Sequence, residues 1–160
     1  MKVEQLMMRP VWTCQPSDSL NVAAQLMWEK DVGCVVVQAQ GKVVGVVTDR
    51  DVCMGAYTTG RSLSAISVRE AMAKEPVLIQ PHATIEAAER TMQERRIRRL
   101  PVVDEQGLLV GLLALNDIAR EARRQHGKRR PEVNAAGVAG TLAALCEPRS
   151  TEALVSVKRR

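Results

Sequence analysis

Apolar positions along this chain follow two different periods, and the change from one period to the other occurs twice. The first period is helical, and the positions that share one helix face are Leu20, Ala23 and Met27, then Ile85, Ala88 and Met92. Each helical stretch is followed by two β-branched or aliphatic runs, which lie at 34–37, 43–47, 100–103 and 108–113. The pattern predicts an amphipathic helix followed by two buried strands, twice over.

The two halves also match residue by residue, which marks an internal repeat. A shift of 65 positions aligns residues of the same type: Met7 with Met72, Pro16 with Pro81, and Val37 with Val102. One extra residue in the second copy raises the shift to 66, which aligns Gly45 with Gly111 and Asp51 with Asp117. So many matched types in one register indicate a duplicated unit.

Each copy is predicted to run in the order helical turn, brief strand, helix, strand, strand, helix. The elements before the amphipathic helices are turns at 3–8 and 68–73 and strands at 11–14 and 77–79. Ser19 and Thr84 stand where those helices would need N-caps. The predicted division is a first repeat at 1–60, a small polar linker at 61–67, a second repeat at 68–124 and a basic, helical tail at 125–160. Two such copies packed about a pseudo-twofold axis would cover the faces of both sheets.

Residues 45–51 carry the chemistry that stands out in the first copy. Thr48 follows a buried strand, and Asp51 comes three residues later, which is the spacing of a helix capping box. A helix N-terminus also offers free N–H groups to a phosphate, and a nearby carboxylate could accept from ribose hydroxyls. From the residues alone, capping is the favoured interpretation and nucleotide binding is the alternative.

Composition excludes several classes of protein. The chain is 46% hydrophobic but has no Phe, one Tyr and two Trp, so its core must be aliphatic. No apolar run approaches the length of a membrane span and no signal peptide is visible, so the expected location is the cytoplasm. The four Cys are scattered and the two His lie far apart, which predicts neither a disulfide framework nor a metal site. With no nucleophile–base pair and no phosphate-binding P-loop, the chain is not expected to be an enzyme.

The charge pattern raises a second hypothesis. The net charge is +5, and a basic stretch at 123–130 precedes a short predicted helix with Asn134 as its cap and Pro148 beyond its end. A basic nucleic-acid-binding regulator is therefore an alternative function. The sequence disfavours it, because no helix-turn-helix or zinc-ligand spacing is present and almost no aromatic residue could stack on a base.

The doubled unit resembles a tandem pair of CBS domains, the module named for cystathionine β-synthase. The likeness covers roughly residues 1–122 and rests on the repeat, on Gly-x-x-Thr-x-x-Asp at 45–51, and on the run Arg-Arg-Leu-Pro-Val-Val-Asp at 98–104. It implies an α+β fold in which two βαββα units pack about a pseudo-twofold axis, followed by the helical tail. It also implies two clefts between the copies for adenosine-containing ligands: AMP, ADP, ATP, S-adenosylmethionine or NAD.

By this resemblance each cleft combines the motif of one copy with the first strands of the other. In the first cleft Thr48 would contact phosphate and Asp51 would contact ribose, in addition to their capping role. The remaining residues expected in that cleft are Pro76, Val77 and Leu78 around the base and Arg98, preferred over Arg99, near the phosphate.

The second cleft departs from the family pattern, because Ala114 stands where the first motif has Thr48. Asp117 would contact ribose, or else serve only as a first-turn acid beside Asn116, which is both a candidate cap and a candidate site residue. The walls expected for this cleft are Pro10, Val11, Trp12 and Gly33. Without the hydroxyl, phosphate would lose one donor, so this cleft is expected to be empty, weak or restricted to a nucleoside.

The resemblance predicts a regulatory module without a catalytic domain, which senses an adenine nucleotide or related cofactor and signals to an unidentified protein partner. A homodimer is expected, with a candidate seam on the helices that follow the motifs, at Val52, Met54, Ile118 and Ala122. Neither a membrane nor a nucleic acid is an expected partner. A ligand-free dimerisation scaffold is the remaining alternative.

Overall fold

The computed structural model describes residues 1–148, so the end of the predicted tail, with its basic residues 158–160, lies outside the described part of the chain. The first repeat contains β1 (Thr13–Cys14), α1 (Leu20–Glu29), β2 (Cys34–Ala39), β3 (Lys42–Thr48) and α2 (Asp49–Thr59). The second contains α3 (Val68–Ala71), β4 (Ala73–Lys74), α4 (Ile85–Arg95), β5 (Arg99–Val103), β6 (Leu109–Ala114) and α5 (Leu115–Arg124). The C-terminal helix α6 spans Ala135–Cys146, and two 3-10 turns cover Val3–Gln5 and Leu63–Ala65.

The two sheets repeat one plan. In the first, β1 runs parallel to β2, β2 runs antiparallel to β3 with Cys34 opposite Thr48, and β4 pairs with β3. In the second, β5 and β6 are antiparallel with Arg99 opposite Ala114. The strand expected at 77–79 is reduced to one parallel bridge between Ile79 and Val102. Both sheets change register at equivalent places, Val37/Gln38 and Val102/Val103, so the duplication extends to their β-bulges.

The helix starts follow from local sequence. Ser19 Oγ accepts a hydrogen bond from the Val22 N–H at 3.4 Å, and Thr84 Oγ1 accepts from the Ala87 N–H at 3.2 Å, which confirms both predicted caps. The 3-10 turn at Val3–Gln5 is shorter than the helical turn expected over 3–8.

The two repeats exchange their leading segments. The backbone N–H groups of Val3 and Met8 donate to the carbonyls of Ala83 and Leu112, at 2.9 and 2.8 Å, so the N-terminus of the chain lies on the second repeat. In the reciprocal direction, β4 pairs with β3, and the Val68 N–H donates to the Asp18 carbonyl at 2.7 Å. Each repeat therefore completes its core with residues that precede the other repeat in the sequence.

Two aliphatic cores result from this exchange. Ile66, inside the segment predicted as a linker, is 1% exposed and packs with Leu20 and Val68 in the first core. Val3 is fully buried and packs with Ile85 and Leu113 in the second core. Burial of this apolar surface stabilises both the repeats and their connection, because each core fixes a segment on the far side of the repeat boundary.

The glycines of the repeated motif receive methionines from the exchanged segments. A Cβ on Gly45 would lie 2.6 Å from Met72 Sδ, and a Cβ on Gly111 would overlap the side chain of Met7. Met7 and Met72 are themselves equivalent positions of the repeat. The motif glycine is therefore required in both copies by close packing, since any side chain would displace the methionine.

Helix α6 lies on the second repeat, against α4 and α5. Asn134 caps it by accepting from the Gly137 N–H at 2.8 Å, as predicted. Thr141, at 0% exposure, accepts a hydrogen bond from Gln93 Nε2 at 2.8 Å. Val138 and Leu145 of this helix pack against the second core, whereas Leu142 and Cys146 are exposed.

Candidate functional site

The first motif forms the predicted capping box at the start of α2. Thr48 Oγ1 accepts from the Asp51 N–H at 3.3 Å and donates to Asp51 Oδ2 at 2.7 Å. Asp51 Oδ2 also accepts from the Thr48 N–H at 2.9 Å. One oxygen of the carboxylate is thereby fixed by two donors. Among residues 1–148, the other oxygen, Oδ1, receives no hydrogen bond from the protein.

Gly33 lies beside this motif, at the position just before β2. A Cβ on Gly33 would be 3.5 Å from the Asp49 carboxylate and 2.8 Å from Nη2 of Arg99. Arg99 belongs to β5 of the second repeat, so its guanidinium crosses the boundary between the repeats and lies at the entrance to α2. The absence of a side chain at position 33 leaves the space that the guanidinium occupies.

The electrostatics of Cys34 agree with this placement. Burial raises the pKa of the Cys34 thiol above its usual range, the nearby Arg99 guanidinium opposes that change, and the Asp49 carboxylate adds to it. The thiol is 4% exposed and stays protonated at neutral pH. A cation and an anion from different repeats thus lie close to one buried strand end.

Val11 and Trp12 also lie on the first repeat's own sheet. The Trp12 carbonyl accepts from the Val36 N–H at 3.1 Å, which places residues 11 and 12 next to the beginning of β2. The Trp12 ring is stacked under Lys30, with Nζ 4.6 Å from the ring centroid. Val11 and Pro10 line a cavity of about 330 Å³ whose far wall is Leu109 and Val110 of the second repeat.

The second motif has a different set of contacts. Asp117 Oδ2 accepts from the Ala114 N–H at 2.9 Å, whereas Asp117 Oδ1 is paired with the guanidinium of Arg120. Ala114, and not Asn116, is the N-cap residue of α5, and Asn116 is exposed in the first turn of that helix. The suggestion that Asn116 caps the helix was therefore wrong, because the helix begins two residues earlier.

Pro76, Val77 and Leu78 follow the backbone of the second sheet. The Ile79 N–H donates to the Pro101 carbonyl at 3.1 Å, and Val77 packs against the second core. Leu78 and Val103 line a cavity of about 460 Å³. Leu78 and Val103 are the repeat equivalents of Thr13 and Gln38 in the 330 Å³ cavity, so the two cavities occupy matching places. Neither cavity is lined by Thr48 or Asp51.

Val11 and Gly33, which the resemblance assigns to the cleft of Asp117, lie on the sheet of their own repeat and also face the second repeat. Val11 shares a cavity with Leu109 and Val110, and Gly33 lies beside both Asp49 and Arg99. The segment 76–78 likewise lies on the sheet that carries Asp117. In the first sheet β2 lies between β1 and β3, and its first residue, Cys34, is opposite Thr48 at the end of β3.

Two arginines change the sequence-based picture. Arg98 is exposed, whereas Arg99 is half-buried and is the one that reaches the first motif. Arg120 was not expected in the site at all. Its position, three residues after Asp117, is the one signal in the sequence that could have indicated the ion pair.

The sequence profile of the CBS domain matches residues 3–55 and 68–124 of this chain. The chain belongs to the CBS-domain family, as a tandem pair. It is 38% identical over 117 residues to the CBS domain-containing protein YhcV of Bacillus subtilis, a match that covers 73% of this chain and 82% of YhcV. The same region is 33% identical to part of the inosine-5'-monophosphate dehydrogenase of Korarchaeum cryptofilum, but it spans only 23% of that enzyme.

A solved structure with the same fold contains a nucleotide. The CBSX2 protein in complex with AMP superposes with a TM-score of 0.66 at 29% identity, covering 77% of this chain and 96% of CBSX2. Members of the family therefore include both AMP-binding proteins and regions within larger enzymes.

Two further properties concern the described residues. No helix within residues 1–148 is long and apolar enough to cross a membrane. Within the same range, no three His, Cys, Asp or Glu side chains are grouped so that they could hold a metal ion.

Proposed function

We propose that this CBS pair is a regulatory module that binds an adenosine-containing ligand at the first motif. The observation that carries the proposal is the arrangement of Asp51, whose Oδ2 is fixed by Thr48 while its Oδ1 has no donor in the described part of the chain. A carboxylate oriented in this way can accept from the vicinal hydroxyls of a ribose. AMP is the best-supported candidate ligand, because CBSX2 is a relative in complex with AMP.

The phosphate would lie at the N-terminus of α2. The first N–H groups of that helix carry partial positive charge, and Thr48 Oγ1 is at the same end. To donate to phosphate, the Thr48 hydroxyl would turn its proton from Asp51 Oδ2 to the ligand, with no movement of heavy atoms. Arg99 supplies a full positive charge from the other repeat, beside Gly33.

The base would lie against the edge formed by Val11 and the start of β2. Apolar side chains and strand-end backbone groups suit a purine, which needs a flat apolar surface and a few N–H and C=O partners. Val11 also lines a cavity with Val110 of the second repeat, which supports placing the base at the boundary between the repeats.

The signal would arise because the ligand contacts both repeats. Thr48 and Asp51 belong to the first repeat and Arg99 to the second, so a bound phosphate favours one relative arrangement of the two. A protein partner that recognises that arrangement would be coupled to the ligand by linkage. The role we propose is regulatory and not catalytic, and a turnover assay with ATP and NAD should release no product.

The direct test is calorimetry with AMP, ATP, S-adenosylmethionine and NAD. We expect AMP to bind and Asp51→Ala to weaken binding 10- to 100-fold, or about 1.4–2.8 kcal/mol. Asp117→Ala is the matched control, because it removes the equivalent carboxylate from the second motif and should leave the affinity of the first site within about twofold. Unchanged AMP binding in Asp51→Ala would remove that residue from the site, and no binding by the unmodified protein would favour a ligand-free scaffold.

We also propose a homodimer, formed by the α1/α2 layer of the first repeat. The seam expected from the sequence was wrong in part, because Val52, Ile118 and Ala122 are at most 8% exposed and lie in their own cores. Trp28 is 89% exposed at a position whose repeat equivalent, Gln93, binds α6. Helix α6 thus covers on the second repeat the face that remains open on the first.

The occupant we expect for that face is the same face of a second copy. Trp28 and Tyr57, 89% and 80% exposed, are the large side chains that a pair of copies would bury. Light scattering should give a dimer, and Trp28→Lys should convert it to a monomer. The control is Leu142→Lys on α6, where the leucine is 50% exposed, and this variant should remain a dimer. A monomeric unmodified protein would contradict this proposal without affecting ligand binding.

A further inference from the structure

The two motifs differ in what occupies the outer oxygen of the aspartate. Asp51 Oδ1 has no hydrogen-bond donor among residues 1–148, whereas Asp117 Oδ1 is paired with Arg120. The repeat equivalent of Arg120 is Met54, which has no charge to offer. The difference is therefore encoded by one side chain in the second turn of each helix.

We propose that the Arg120 guanidinium occupies the second site. There it pairs with the oxygen of Asp117 whose equivalent on Asp51, in the first site, is available to a ribose. The chain then binds one adenosine-containing ligand per polypeptide, at the first motif. This inference rests on the proposed function, since it assigns the stoichiometry and the residue that determines it.

The ion pair at the second motif occupies the carboxylate oxygen that a ribose would need. The Asp117 side chain is 5% exposed, and its other oxygen already accepts from the Ala114 N–H at 2.9 Å. The Arg120 side chain is 72% exposed, so the guanidinium remains solvated while it neutralises the carboxylate. A ribose would have to replace a charged donor with two neutral hydroxyls, and charge-assisted hydrogen bonds are roughly twice as strong as neutral ones.

Other positions of the second motif reinforce this effect. Ala114 provides no hydroxyl for a phosphate, whereas its equivalent is Thr48. Gly33 leaves space beside the first motif, and its repeat equivalent in the second copy is Arg98. The second site therefore lacks both the donor and the free acceptor that distinguish the first.

The test converts the second motif into the first with residues that the chain itself uses. Calorimetry with AMP is performed on the full chain and on three variants: Arg120→Met, Ala114→Thr and the double variant. We expect one site per chain in the unmodified protein and in Ala114→Thr, and two sites in the double variant. The new site should have a Kd within about tenfold of the first, since it then carries the same cap, acceptor and neighbour.

Folding is checked by thermal unfolding, and Arg120→Gln replaces Arg120→Met in the pair if the methionine variant is unstable. Two sites in the unmodified protein would overturn the proposal, and so would loss of a site in Arg120→Met, which would make Arg120 a ligand contact. One site in a folded double variant would also overturn it. If the unmodified protein binds no AMP, the proposed function fails, while a site gained by the double variant would still support the role of Arg120 and its absence would refute it.

Discussion

The two copies of the motif share their backbone arrangement, but the side chains around the aspartate differ in their hydrogen-bonding groups and charge. In both, a strand ends one residue before a helix, and an aspartate in the first turn accepts from the N–H of the capping residue, at 2.9 Å in each case. Around that shared frame the first copy has Thr48 and Met54, and the second has Ala114 and Arg120. The comparison teaches that the aspartate caps its helix in both copies, whereas its availability to a ligand depends on its neighbours.

The outer faces of the two repeats differ in a parallel way. On the second repeat, Gln93 donates to Thr141 of α6, and Glu89 lies against Gly137 of the same helix. The equivalent residues of the first repeat are Trp28 and Ala24, neither of which carries the amide or carboxylate group that meets α6 on the second repeat. One copy is thus adapted to bind the C-terminal helix and the other keeps its helix layer open.

The largest effect is expected from the feature that the copies share. Gly45→Ala and Gly111→Ala should each destabilise the protein by about 1–3 kcal/mol, because the new Cβ would collide with Met72 or Met7. Urea unfolding measures the change. Gly140→Ala on α6 is the matched control, since its Cβ would have no heavy atom within 4 Å, and it should be neutral or slightly stabilising.

If only one of the two glycine variants loses stability, the two exchanged segments contribute unequally to the free energy of unfolding although their contacts are equivalent. Equal losses of stability in the two variants would show that both exchanged segments stabilise the connection between the repeats to the same extent. No loss in either variant would contradict the packing role.

The second prediction makes the first motif resemble the second. Thr48→Ala should weaken AMP binding about tenfold, or about 1.4 kcal/mol, because it removes one donor to the phosphate. Binding of adenosine, which has no phosphate, should change less than twofold. The same substitution removes a helix cap, so unfolding should show a loss of roughly 0.5–2 kcal/mol.

Thr58→Ala is the control for Thr48→Ala, because Thr58 is an exposed threonine of the same helix that bonds only within α2. It should leave both ligands unaffected. An equal loss of AMP and adenosine binding in Thr48→Ala would show that the residue acts through the fold and not through the phosphate.

Much of this architecture could be predicted from the sequence, and the repeat explains why. Period and register located the strands and helices, and the cap residues Ser19, Thr48, Thr84 and Asn134 lie where a hydroxyl or amide precedes an apolar helix. Such signals are local, so a single sequence contains them. The exchange of leading segments was missed, because a duplicated pattern fits either repeat equally well.

The site was predicted less completely for a related reason. Thr48 and Asp51 are neighbours in the sequence, and their hydrogen bonds follow from that spacing alone. Arg99 meets Gly33 only because the two sheets approach each other, and periodicity cannot determine which of two adjacent arginines turns toward the boundary. Arg98, which the resemblance favoured, is exposed instead.

The third prediction concerns the helix that distinguishes the two outer faces. Burial is the main cause that raises the pKa of the Glu89 carboxyl, with Glu86 adding to it, and Glu89 Oε1 has no partner among the described residues. A raised pKa in the folded state stabilises the protein below the ordinary carboxyl pKa, and that contribution is lost as the pH rises through the folded value. Stability attributable to Glu89 should therefore decrease toward neutral pH.

Glu89→Gln keeps the shape and removes the charge, so it should stabilise the protein at pH 7 by up to about 1 kcal/mol, or 2–4 °C in Tm. The advantage should vanish in mildly acidic buffer. Glu94→Gln, an exposed change on the same helix, is the control. A variant less stable than the unmodified protein at pH 7 would show that the charged form of Glu89 has a favourable contact with α6.

The smallest effect is expected at the contact between Gly33 of the first repeat and Arg99 of the second. In Gly33→Ala the new Cβ would approach Arg99 Nη2 to 2.8 Å, and the long arginine side chain can move away at little cost to stability. AMP affinity should fall about threefold, or about 0.65 kcal/mol, because the displaced guanidinium no longer faces the phosphate. In an Arg99→Ala background the same Gly33 substitution should have no further effect, and that lack of additivity would assign the loss to the guanidinium. If the threefold loss persists without Arg99, the added methyl group itself obstructs the ligand, and the second repeat makes no contribution to the first site through this side chain.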